Sequence, residues 1–219
     1  MLQGGHHRWP RAAILGEVVS LAWQVKDVKP GTLEGISEKQ VSEHYDVLYK
    51  GYVNKLNEIE TRLGEADPGE ANATYSLIRE LKKEEVFATN AIRLHEGYFE
   101  NLGGGSRPDG PILRLIEEDF GSYDRWEREF RGLGMAARGW VVLAFDWEDR
   151  RLHNYLSDIH SEGVWNASPL LILDVYEHAY FLDYGTARKA YIEAFMRNVN
   201  WEAVNARVAR LKLLEHRNR

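Results

Sequence analysis

From Ser37 onward the apolar positions fall with a helical period. Val41, Tyr45, Leu48, Tyr52 and Leu56 recur at spacings that place them on one face of a helix. Ser37, followed three residues on by Gln40, is the capping-box pattern that opens such a helix. The pattern predicts one long helix from Ser37 to Leu63, broken by Gly64–Gly69 with its Pro68. Two more helical stretches are predicted over 70–83 and 84–102, and Gly103–Gly110 (GGGSRPDG) reads as a loop and a candidate domain boundary. Helical patterns resume over 111–119 and 123–137. The period then shortens to that of strands. Gly139–Asp146 and Arg151–Ser157 read as two strands joined by a charged turn, and Leu170–Leu173 as a short buried third strand. Helices over 185–198 and 201–215 complete the pattern.

The predicted fold class is therefore α+β. A helical N-terminal half, built on a long antiparallel hairpin, precedes a C-terminal half with a small three-stranded antiparallel sheet surrounded by helices. The expected division is a partly helical extension over 1–27, a helical domain over 28–103 and an α/β domain over 104–219.

Composition narrows the chemistry. The chain has 28 Lys+Arg against 34 Asp+Glu, a formal net charge of -6, which argues against a general nucleic-acid coat protein, since phosphate binding needs a basic surface. There is no cysteine, so disulfides, thiolate nucleophiles, zinc–thiolate sites and iron–sulfur clusters are excluded. Any metal must be held by imidazole and carboxylate. The apolar run Ala12–Trp23 is interrupted by Glu17 and Ser20; it is neither a membrane span nor a signal-peptide core, and a cytoplasmic location without membrane partners is expected.

Two motif matches fail on context. Gly132-Leu-Gly134-Met-Ala-Ala137 imitates a dinucleotide fingerprint but ends a helix and precedes a strand, so helix packing is the better reading. The triple glycine at 103–105 lacks the Lys-Ser/Thr of a phosphate loop and reads as a linker. No histidine has a Glu three residues before it, which removes the ferritin-like di-iron site.

Eight histidines remain. His6, His7 and His216 lie toward the chain ends and receive no role, and His153 in the second strand reads as structural. His44 and His95 sit inside amphipathic helices, His160 in the loop after the second strand, and His178 four residues after Asp174 at the end of a buried run. A lone helical histidine is usually packing. Several of them with an aspartate at strand and helix ends, in a chain without cysteine, point to a mononuclear metal site; three imidazoles and a carboxylate suit Fe, Mn or Zn.

At this point the residues resemble a known family. His44-x7-Tyr52-Val-Asn-x-Leu-Asn57 is similar to the first ligand helix of the iron/manganese superoxide dismutases, and His95-Glu-Gly-Tyr-Phe-Glu-Asn-Leu102 to the second. Asp119-Phe-Gly-Ser122, Gly139-Trp140 and Asn200-Trp201 recur in that family's C-terminal half. Asp174-Val-Tyr-Glu-His178-Ala-Tyr-Phe resembles its signature DVWEHAYY. The resemblance covers residues 28–215 and implies His44, His95, Asp174 and His178 as ligands of one Fe or Mn per subunit. It implies Tyr52 as the gateway tyrosine, about 80° round the helix from His44. It also implies Phe99, Trp140 and Tyr176 as pocket walls, Arg188 beside a substrate funnel, and Glu177 as the residue that reaches a ligand histidine across a homodimer, with a tetramer also open.

The departures matter too. The register after the second strand brings His160 to the place where most manganese enzymes carry a glutamine beside the solvent on the metal. Ala91 stands where iron enzymes often carry theirs. His160 is thus expected to contact that solvent and link it to Tyr52. Leu48 and Phe181 replace a polar pair, removing both members of a buried contact together. The implied activity is dismutation of superoxide, which needs a metal that changes oxidation state and so excludes zinc. The alternative is a non-catalytic scaffold of the same fold, which would be expected to lose ligands.

Overall fold

The computed structural model describes residues 22–105 and 107–217. His6, His7 and most of the expected extension, including its helical part, lie outside the described residues.

The first long helix is composite. It runs as α1 (Glu38–Ser42), a π-helical segment over Glu43–Tyr49, and α2 (Lys50–Glu65). Ser37 Oγ caps it, accepting from the Gln40 amide at 3.0 Å. The reciprocal half of the capping box is not made: Gln40 Nε2 donates to the His178 carbonyl at 2.6 Å and its Oε1 accepts from Leu182 N at 3.1 Å. The glutamine has found a long-range partner that outranks the local one.

The two stretches expected over 70–83 and 84–102 are a single helix, α3 (Leu77–Glu100). Residues before it are turn. Asn72 Oδ1 accepts from Thr74 N at 2.8 Å, and Ser76 Oγ then caps α3 through Arg79 N at 3.4 Å. Asparagine and serine side chains that bond their own backbone favour such non-helical entries. The hairpin is antiparallel, as expected: Tyr45 and Tyr49 pack on Phe99, whereas Tyr52 packs on His95 and Phe87.

The C-terminal half carries α4 (Gly110–Phe120) and α5 (Tyr123–Ala136), then β1 (Trp140–Asp146), β2 (Arg151–Ser157) and β3 (Ala167–Asp174) in an antiparallel sheet of order β2-β1-β3. β3 is longer than the run Leu170–Leu173 suggested. Pro169 would normally disqualify a strand, but it sits on an edge strand where the register slips from Leu143↔Leu171 to Ala144↔Pro169, and a bulge tolerates a residue without an N–H. A 3₁₀ turn at Glu177–Ala179 and a short α6 (Phe181–Tyr184) precede α7 (Arg188–Arg197). The last predicted helix is two, α8 (Trp201–Arg210) and α9 (Leu213–Arg217), parted at Lys212 with φ 52°. Trp126, Phe130, Trp140, Phe145 and Phe195 are fully buried between sheet and helices. Among the described residues no helix is long and apolar enough to cross a membrane.

Two joints hold the halves in place. The glycine loop is tighter than a linker: a Cβ on Gly104 would lie 2.2 Å from the Val199 carbonyl oxygen and 2.6 Å from Asn200 Cα. Gly104 N donates to Asn198 O at 3.1 Å and Asn200 N to Asn101 O at 2.7 Å, so the end of α3 is seated on the α7–α8 junction. The second joint is Asp119, whose side chain is 1% exposed. It accepts from both terminal nitrogens of the Arg217 guanidinium, from Leu152 N at 2.8 Å and from Arg151 Nε at 3.1 Å, tying α4, β2 and α9 together.

Burial alone would raise the Asp119 carboxyl, but Arg217 and the Leu152 amide outweigh it and hold the pKa below the ordinary value. A carboxyl depressed in the folded state stabilises at pH above its unfolded value and loses that contribution as pH falls through the folded one. Asp119→Asn should therefore cost about 2 kcal/mol near neutral pH, lowering Tm by about 4–8 °C. The gap from the parent should close below about pH 4. Thermal melts across pH check both the size and the closure.

Candidate metal centre

Four elements converge on one point. His44 is the second residue of the π segment, His95 lies inside α3, Asp174 ends β3, and His178 lies in the 3₁₀ turn that follows. A π turn admits one extra residue per turn and is found mostly at functional sites; here it carries His44. Each of the four offers a ligand atom, and those atoms all lie within 4.8 Å of one another. His44, His95 and Asp174 are buried, and the His178 side chain is 28% exposed.

The carboxylate is the hub. Asp174 Oδ2 lies 3.1 Å from His178 Nε2, 3.2 Å from His44 Nε2 and 3.5 Å from His95 Nε2. Its Oδ1 accepts from Tyr176 N at 2.9 Å, and its backbone carbonyl from Tyr191 Oη at 2.7 Å. Burial would push the carboxyl up, but His178 and His44 beside it outweigh that and hold it well below the usual carboxylate range. Burial lowers His44, and burial together with His44 lowers His95 well below the ordinary histidine value. The site thus pairs one anionic carboxylate with the neutral imidazoles of His44 and His95.

These residues fit a metal ion. His95 Nδ1 donates to the Ala91 carbonyl at 2.6 Å, which leaves the lone pair on Nε2 facing the cluster. His44 Nε2 and His95 Nε2 are the two buried side-chain polar atoms that lack a hydrogen-bond partner among the described residues. Buried polar atoms are rarely left so; a cation shared by three imidazoles and a carboxylate satisfies all of them.

Around this cluster stand most of the outer residues singled out from the sequence. Phe99 packs on His44 at 4.9 Å between ring centroids and Trp140 on His95 at 5.0 Å. Tyr176 stacks on His178 at 5.1 Å. Tyr52 lies over His95, and its hydroxyl is 3.0 Å from His160 Nε2. His160 is buried, which pushes its pKa down to about 4. Trp140 Nε1 donates to His160 Nδ1 at 2.9 Å. An indole N–H can only donate, so Nδ1 carries no proton and the ring N–H is on Nε2, directed at the Tyr52 oxygen. The Tyr52 proton is then free to donate elsewhere.

Other residues are not brought into the cluster. Glu177 is exposed beside it. Arg188 is anchored by Tyr180 Oη at 3.1 Å and the Ala137 carbonyl at 2.7 Å, with no contact to the four donors. Phe181, expected to fill a buried place left by a polar pair, is 49% exposed. His153 bonds Asp149 at 2.7 Å and His216 packs on Trp147, both away from the site. The sequence did not single out Phe87, whose ring lies 4.6 Å from His160, or Tyr191 on the Asp174 carbonyl. Phe87 stands eight residues before His95, the same offset as Tyr52 from His44, and that symmetry was its one signal.

Comparison with known proteins places this site in a family. Residues 108–207 match the model of the iron/manganese superoxide dismutases, C-terminal domain. An iron superoxide dismutase of Cupriavidus metallidurans is 42% identical over 184 residues, 83% of this chain and 92% of the relative. One of Aquifex pyrophilus is 43% identical over 188 residues, covering 82% and 87%. A manganese superoxide dismutase of Haloarcula marismortui is 38% identical over 171 residues, covering 76% and 82%. With matches of this extent to both iron and manganese enzymes, the chain belongs to the iron/manganese superoxide dismutase family.

Proposed function

We propose that the chain is a superoxide dismutase, converting two superoxide anions and two protons into dioxygen and hydrogen peroxide, with one Fe or Mn held by His44, His95, Asp174 and His178. The observation that carries this reading is the four-donor cluster, complete and buried, with the Nε2 atoms of His44 and His95 unpartnered. A non-catalytic scaffold has no use for such a cluster. Iron or manganese held by these four residues would supply the one-electron couple that dismutation needs.

The remaining tasks fall to the chain's own groups. Asp174 offsets cationic charge in a buried place, where an unbalanced charge is costly. Phe99 and Trp140 wall the donors from bulk water. Peroxide formation consumes protons, and the hydroxyl proton of Tyr52, whose ring lies over His95 and whose oxygen accepts from His160, is the one left free beside the cluster to supply them. The substrate is a small anion and the protein is acidic overall at -6. A guanidinium held in place at Arg188 supplies a local attraction against that global field.

A homodimer is proposed as well. His178 is the one partly exposed donor, and the exposed Glu177, Phe181 and Leu182 surround it on the chain. A second copy laid over this surface would bury the apolar pair and bring the partner's Glu177 toward His178, fixing the ring as second-layer carboxylates do.

Three outcomes are expected. Purified protein carries one Fe or Mn per chain and dismutes superoxide; Asp174→Ala loses both, as metal analysis beside a superoxide assay would show. Tyr52→Phe keeps its metal but turns over at least about 10-fold more slowly, since positioned proton donors contribute that much or more. Sedimentation finds a dimer, and Glu177→Ala weakens it with a loss of about 10–100-fold in metal affinity or activity; an active, fully metallated monomer would exclude the shared arrangement.

A further inference from the structure

His160 approaches the site from a turn, not from a regular element, and turns are the less precise platform for a positioned group. Its side chain is held by Trp140 and Tyr52, but a ring can meet such partners only if its backbone is already in place. Two hydrogen bonds set that backbone, and both come from segments that carry metal-site donors.

Asn90 lies on α3, five residues before His95, and its Nδ2 donates to the His160 carbonyl at 2.9 Å. Tyr176 lies two residues after Asp174, and its hydroxyl donates to the Asp158 carbonyl at 3.0 Å. The turn is therefore gripped at two carbonyls, once from the helix of His95 and once from the strand end of Asp174. Within the turn, Ser157 Oγ donates to Ile159 O at 2.6 Å and Asp158 N to Glu162 Oε2 at 2.7 Å, which shape it without aiming it; Arg138 N donates to the Asp158 side chain at 3.0 Å and leaves the backbone carbonyls to Asn90 and Tyr176. Gly139 makes room for this arrangement: a Cβ there would stand 2.9 Å from the Ser157 carbonyl, 3.0 Å from that of Asp158 and 3.0 Å from the Tyr176 ring.

We propose that Asn90 and the Tyr176 hydroxyl are positioning residues for the proton donor pair, a brace that fixes the distance from His160 to the metal donors through backbone carbonyls. The inference rests on the dismutase reading above. Asn90 and the Tyr176 hydroxyl act through the turn that carries His160; the Tyr176 ring and amide, which contact His178 and Asp174, are kept in Tyr176→Phe. With the Asn90 bond absent, the turn is free to move off α3, the Trp140–His160–Tyr52 chain lengthens, and the proton supply weakens while the four donors stay in place.

The test is a double-mutant design on the metal-loaded enzyme. Asn90→Ala and Tyr176→Phe, the second removing a single oxygen, are made in the parent and again in His160→Ala. Metal content, kcat, KM and the midpoint potential of the bound metal are read for each. In the parent each variant is expected to keep full metal content and its KM, lower kcat by about 10-fold, and shift the midpoint potential. In the His160→Ala background neither should change kcat or potential further. A parent-background kcat and potential left unmoved overturns the proposal, as does the same loss with and without His160, which would mark a general packing role. If Asn90→Ala fails to fold, Asn90→Asp, which keeps the size but loses the donor, is read by the same criteria alongside Tyr176→Phe. A parent enzyme that binds no metal or does not dismute superoxide would instead refute the functional reading, so the two failures are told apart.

Discussion

A carboxylate with no solvent exposure is the constraint around which this fold is arranged. Asp174 is fully buried at the end of β3. An uncompensated charge there would cost more than the typical whole stability of a domain. The compensation comes from the π segment through His44, the 3₁₀ turn through His178 and the Tyr176 amide, while His95 on α3 turns a bare Nε2 toward the same point and is satisfied only with a cation there. That demand is met on top of the apolar packing these elements already share. Gln40 illustrates it, giving up its local capping role to hold the His178 carbonyl and so fix the turn that carries the fourth donor. Because the donors assemble only in the folded chain, the free energy of filling the site is also free energy of folding.

The cluster explains affinity for a cation, and the layer outside it explains what the cation is set to do. Imidazoles bind a cation in the neutral form, so three of them with one carboxylate would contribute a net charge of minus one, and a divalent or trivalent ion held there would be brought closer to neutrality in an environment that penalises excess charge. No lysine or arginine touches the four donors in the described residues. In the function proposed above, the attraction for an anionic substrate is assigned to the metal centre and to Arg188, which is held by Tyr180 and the Ala137 carbonyl. Such a layout draws the anion in without adding a fixed positive charge to the buried centre.

How much of this was legible in the sequence follows from which features leave a local trace. Strand alternation and helical period did, so the sheet, the hairpin and the α+β class were readable, as were His44, His95, Asp174 and His178 through their motifs. The π segment was not: its longer hydrogen-bonded turns use the same residues as an α-helix and leave no mark on the period. The start of α3 was misplaced because Asn72 and Ser76 terminate and cap through side-chain bonds to the backbone, while the flanking residues are good helix formers. β3 was shortened because Pro169 is a correct stop signal in every setting but an edge or a bulge. Asn90 had no signature at all, since its partner is a backbone carbonyl 70 residues away.

The two histidines that matter most to the chemistry show how little separates a ligand from a proton donor. His95 and His160 lie with ring centroids 5.8 Å apart, both buried. At His95 the Ala91 carbonyl, which can only accept, takes the Nδ1 proton and leaves a bare Nε2 facing the cluster. At His160 the Trp140 indole, which can only donate, occupies Nδ1 and sends the proton to Nε2, toward Tyr52. One neighbour thus selects the tautomer that binds a cation and the other the tautomer that would repel one. Exchanging the character of either neighbour would invert the role of the ring beside it. The identity of the residues at 44, 95, 174 and 178 specifies that a metal binds, and the hydrogen-bond polarity of Ala91 and Trp140 specifies which imidazole stays off it.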